Sequence, residues 1–104
     1  MKRYYSEYAQ HALRHYFKVA RGDIPSPADP ESPSGQNYEA ARKALSDMGG
    51  SRIDPLRDMC LSDKPLSEAV GPVARYYGLT GRQLWGTLAY AEKRFCLYRG
   101  LIDP

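Results

Sequence analysis

Arg82, Gln83 and Thr87 are the residues of this chain whose types and spacing best suit molecular recognition. An arginine fork can grip guanine or a phosphate, and a glutamine amide can pair with adenine. Gly86 and Thr87 are small enough to let a helix approach a groove closely. Arg75, Lys93, Arg94 and Arg99 add cations suited to phosphate contacts. Glycines at exposed helix positions 81 and 86 cost roughly 1 kcal/mol each relative to alanine, which is a reason to suspect a contact surface there.

Other chemistries find less support. His11 and His15 stand one helical turn apart, but no third ligand and no H-E-x-x-H pattern accompanies them. Asp29 and Glu31 lie in a proline-rich stretch that cannot hold a carboxylate pair rigidly. No Cys–His pair, Ser–His–Asp set or phosphate-cradling glycine loop can be assembled, so neither an enzyme nor a cofactor or metal is expected. Cys60 and Cys96 sit in apolar segments without metal-like spacing and read as small buried hydrophobes. About half of the nine tyrosines read as core or core-edge residues. Tyr4 and Tyr76 fall off the apolar faces, and with Tyr90 they are candidates for contact with a protein partner.

The elements that must position these residues read as helices throughout. Tyr5, Tyr8, Ala9, Ala12, Leu13, Tyr16, Phe17 and Ala20 recur at helical spacing over residues 1–22, and Gly22 closes the segment. Residues 23–37 hold four of the eight prolines and read as a linker. Asn37 is placed to cap the next helix, with Ala41, Ala44, Leu45 and Met48 on one face and Gly49-Gly50 as its stop. Asp54-Pro55 and Lys64-Pro65 read as two further helix starts. Pro72 is expected to kink the second of these or divide it at Gly71. Thr80-Gly81-Arg82-Gln83 is a capping box opening the last helix, and Gly100 ends it. The expectation is an all-α domain of about five helices spanning residues 1–104, with residues 38–104 as a helical core.

Ala74 and Gly78 have the small-residue and turn-glycine spacing of a helix-turn-helix over about residues 66–99, with Val73, Tyr77, Leu79, Leu84 and Leu88 facing inward. The same spacing also occurs in ordinary helical hairpins. The opening MKRYYSEYAQHALRHY, the G-L-T turn, and the tail residues Leu84, Trp85, Leu88, Glu92, Lys93, Arg94, Phe95 and Arg99 to Ile102 together carry a resemblance. The chain resembles small sigma-factor region-four-like proteins of Firmicutes prophages and mobile elements. That resemblance implies a transcription regulator binding double-stranded DNA, and possible contact with RNA polymerase, with Arg82, Gln83 and Thr87 on the reading face.

Charge and composition bound these readings. The hydrophobic share of 42% and charged share of 26% suit a soluble globular chain, and no apolar run is long enough to span a membrane. The N-terminus lacks the apolar block of a signal peptide, so a cytoplasmic location in a bacterial host is expected. Residues 1–21 carry five Lys/Arg against one acid, residues 22–63 four against eight, and residues 64–104 six against three. Basic ends suit a polyanion. The acidic middle permits the alternative of a small phage inhibitor or adaptor, anti-CRISPR-like, which binds a host protein such as a CRISPR nuclease.

Overall fold

A computed structural model describes residues 2–104. It contains five α-helices: α1 (Arg3–Arg21), α2 (Pro33–Leu45), α3 (Gly50–Leu61), α4 (Leu66–Tyr76) and α5 (Gly81–Arg99). The expected all-α architecture holds. Each helix gives one stripe to a continuous core, in which Leu13, Leu56, Met59, Leu84, Leu88 and Phe95 are among the fully buried side chains. Alanines 40, 41 and 44 of α2 are almost completely buried, and α2 packs extensively on α5. Small side chains on one helix let the two backbones approach closely, so α5 is held over much of its length.

Three helices end alike. Gly22, Gly78 and Gly100 have φ values of 87°, 70° and 77°. The following amide, Asp23, Leu79 or Leu101, bonds back to the carbonyl of Lys18, Ala74 or Cys96 at 2.8–2.9 Å. This is the left-handed glycine cap, in which a side chain at the glycine position would be strained.

Three expected boundaries differ from the structure. The proline-rich stretch ends at Ser32, whose Oγ accepts from the Gly35 amide at 3.0 Å and caps α2. Pro33 then takes the first helical position, and Asn37 lies inside α2 instead of capping it. Residues 29–32 form a built turn: the Glu31 amide donates to Asp29 Oδ1 at 2.9 Å and Ser32 Oγ donates to the Asp29 carbonyl at 2.7 Å. Gly49-Gly50 does not stop α2, which ends at Leu45; Gly49 instead caps α3 and Gly50 opens it. Asp54-Pro55 is therefore no helix start, because Pro55 sits buried within α3. The amides of Arg52 and Ile53 bond the Gly49 carbonyl, so the helix is already under way before the proline arrives.

Pro72 does not divide α4. Its ring nitrogen leaves only the Glu68 carbonyl without a helical donor, and both residues are exposed, so water can serve that carbonyl. Ala69, Val70 and Ala74 hold the opposite side of α4 in the core.

Candidate nucleic-acid interface

The α4–α5 turn is fixed from both sides. Gly78 ends α4, and Thr80 begins α5 with a reciprocal cap: Thr80 Oγ1 accepts from the Gln83 amide at 3.1 Å, and the Thr80 amide donates to Gln83 Oε1 at 2.8 Å. The Tyr77 hydroxyl donates to Asp58, which is also held by Arg57, so the end of α4 is tied to α3. That hydrogen bond is the main reason the Tyr77 phenol titrates above its ordinary range. Leu84 and Leu88 are buried below the turn, with Val73 and Leu79 packed against the core beside them.

On the outer side of α5, Arg82, Gly86, Ala89 and Lys93 are all exposed. Their i, i+4, i+7, i+11 spacing makes one straight row about 16 Å long. Trp85 (39% exposed) and Tyr90 (43% exposed) border it. A Cβ built on Gly86 would meet nothing within 4 Å, so no packing inside the fold requires a glycine there.

The arginines divide sharply in their partners. Arg3, Arg21, Arg42 and Arg57 are paired with Glu7, Asp23, Glu39, and Asp54 plus Asp58. Arg14 Nη1 donates to the Cys60 and Ser62 carbonyls at 2.7 and 2.9 Å and so caps the end of α3. Arg99 donates to Asn37 Oδ1 at 2.6 Å, while Asn37 Nδ2 donates to the Tyr8 hydroxyl at 2.8 Å. Among the arginines of the described residues, only Arg52, Arg75 and Arg82 make no side-chain hydrogen bond or salt bridge to the rest of the protein. Arg75 is on the last turn of α4 and Arg82 on the first of α5. Arg52, in the first turn of α3, lines a cleft with Gln83, Gly86 and Thr87.

Several sequence-predicted site residues are engaged within the fold. Arg94 donates from Nε to the Ala44 carbonyl at 3.1 Å, pairs with Asp47 at 3.0 Å, and stacks on the rings of Tyr90 and Tyr98. It holds the end of α2 against α5, so it is not a free phosphate contact. Gln83 spends its carbonyl oxygen on the cap, and half-buried Thr87 donates to the Gln83 backbone carbonyl at 3.1 Å. Arg82, Lys93 and Arg75 stay exposed as expected. The three candidate contact tyrosines lie on three different helices: Tyr4 on α1 stacked on Tyr8, Tyr76 on α4 at 83% exposure, and Tyr90 on α5 beneath Arg94.

Sequence reasoning missed Arg52 because the start of α3 was misplaced beyond it. It also missed Ala89, whose membership of the exposed row follows from the helical spacing of Arg82, Gly86 and Lys93. The role of Glu92 inside the fold was not legible either, since the sequence shows it only as part of the resembling tail. Its side chain is buried and accepts from Gln10 at 2.7 Å and Ser6 at 3.0 Å, which joins α5 to α1. Burial raises the titration of its carboxyl above the ordinary glutamate range, outweighing those two donors.

Cys60 and Cys96 are buried free thiols; burial pushes Cys60 up to about 12, so it stays protonated near neutral pH. His11 and His15 line a cavity of about 200 Å³ with Ser34 and Asn37. Among the described residues, no three His, Cys, Asp or Glu side chains gather as a metal site, and no helix is long and apolar enough to cross a membrane. No family model, curated protein or solved structure matches the chain.

Proposed function

We propose that the protein is a duplex-DNA-binding regulator in which α4 and α5 act as a helix-turn-helix and the outer row of α5 enters the major groove. The observation that carries this reading is the distribution of free guanidinium groups. Seven of the ten arginines are engaged within the protein; the remaining three, Arg52, Arg75 and Arg82, belong to the elements around the α4–α5 turn. An unpaired guanidinium pays no partner-breaking cost on meeting a base or phosphate. Arg82 and Lys93 supply charge near the two ends of the row, while Gly86 and Ala89 keep its middle low enough for base edges to approach.

The acidic-inhibitor reading draws less support. Of the eight acids in residues 22–63, Asp23, Glu39, Asp47, Asp54 and Asp58 are ion-paired with arginines, which breaks up any acidic face.

Trp85 is the only tryptophan and borders the row, so its fluorescence reports binding directly. Titration with a randomised duplex pool, followed by sequencing of the bound fraction, tests the reading. Bound duplex should alter Trp85 emission, and affinity should fall steeply with salt. Arg82→Ala should relax the selected sequence by about 1–3 kcal/mol at one position. A folded protein showing no salt-sensitive duplex binding refutes the reading.

A further inference from the structure

We infer that the cleft between the start of α3 and α5 binds a phosphate group. Resting on the reading above, its source is the backbone of the duplex that α5 reads. The cleft has a volume of about 470 Å³, and its polar lining comes from Ser51, Arg52, Gln83, Thr87 and Tyr90. The Arg52 guanidinium has no partner within the protein. The Gln83 amide oxygen is held by the Thr80 amide at 2.8 Å, which leaves the NH₂ end to donate elsewhere. The Tyr90 hydroxyl accepts from Arg94 at 3.3 Å, so its own proton stays available. Ser51 adds a further hydroxyl.

No carboxylate lines the cleft. The acids nearest in sequence, Asp47 and Asp54, are held by Arg94 and Arg57 at 3.0 and 3.1 Å. Donor-bearing side chains around a space lined by no carboxylate suit an oxyanion with several acceptor oxygens, and arginine provides the fork that phosphate geometry matches. Gly86 lines both the cleft and the exposed row, so a strand whose bases face the row can run its backbone along the cleft. Base contacts on the row would then specify sequence, and the cleft would set register.

Two measurements on the full chain test this, using wild type and Arg52→Gln, each shown to be folded by circular dichroism. The first titrates inorganic phosphate against chloride at equal ionic strength and follows ¹H–¹⁵N shifts. Shifts centred on Ser51, Arg52, Gln83 and Tyr90, lost in Arg52→Gln, support the cleft; their absence in wild type overturns it. The second measures duplex affinity across a fourfold rise in salt. Loss of one phosphate contact lowers the salt slope by about 0.9, so wild type should lose about 3.5-fold more affinity than Arg52→Gln over that range. The variant should also bind more weakly to every duplex without a changed sequence preference. An unchanged slope with the shifts present removes the duplex backbone as the source and leaves a free phosphate ester. Phosphate shifts without any duplex binding defeat the DNA reading while the cleft survives.

Discussion

Two glycines placed on α2 and α5 should answer the same substitution with opposite signs. Gly86 is exposed inside α5 with open space around a built Cβ, whereas a Cβ on Gly35 would stand 2.1 Å from the Asp29 carbonyl oxygen and 2.8 Å from Pro30 Cα. Gly86→Ala gains the helical preference of alanine, about 1 kcal/mol, which raises Tm by roughly 4–8 °C for a domain of this size. Gly35→Ala gains the same preference but must displace backbone. The turn it displaces carries the Ser32 cap, whose loss alone costs about 1 kcal/mol, and the steric clash adds to that. The two variants should therefore differ in urea denaturation by about 1 kcal/mol plus the cost of relieving the clash, with Gly86→Ala the more stable. Duplex titration of Gly86→Ala and a bulkier Gly86→Gln then separates folding from recognition. Both should bind more weakly although Gly86→Ala is the more stable protein, because the added atoms stand between the helix and the bases. A destabilised Gly86→Ala refutes the placement of Gly86 in open space. Full duplex affinity in Gly86→Gln refutes the groove-facing row.

Glu92→Gln should be more stable than wild type at pH 8, because it keeps an acceptor for Ser6 and Gln10 without a buried charge. The folded-state carboxyl titrates above its unfolded value, so the folded state binds more protons across that interval. Wild-type stability therefore falls as pH rises from the ordinary glutamate range through the raised one, and the advantage of Glu92→Gln shrinks as pH is lowered; a pH-independent difference in chemical denaturation would contradict this. Arg14→Ala removes the donor to the Cys60 and Ser62 carbonyls and should cost about 1.5–3 kcal/mol in urea, with hydrogen exchange rising first at the end of α3. Arg94→Ala should cost about 1–2 kcal/mol in stability and leave the salt slope of duplex binding unchanged, since its guanidinium is engaged by Asp47 and Ala44; a lowered slope would return Arg94 to the phosphate contacts.

The local code of the chain determined much of this protein. Helical periodicity marked the buried stripes of α1 and α5, and Gly22, Gly78, Gly100 and the Thr80–Gln83 box set the ends they were expected to set. Those signals act within a few residues, through φ, a capping oxygen or a repeated apolar side chain, so they can be read without the fold. Where two local signals competed, packing chose between them. Asp54-Pro55 has the form of a helix start, yet burial of Pro55 and Leu56 beside an already bonded Arg52 and Ile53 carried α3 back to Gly50. Partner choice was only partly legible: Tyr90 and Tyr98, one turn to either side, mark Arg94 locally. Its bond to the Ala44 carbonyl and its pairing with Asp47 follow from the packing of α2 on α5, while Arg82 is left free. Whether a guanidinium is spent on a carbonyl 50 residues away depends on which helices lie side by side. The availability of a charged side chain for another molecule is a property of the tertiary structure.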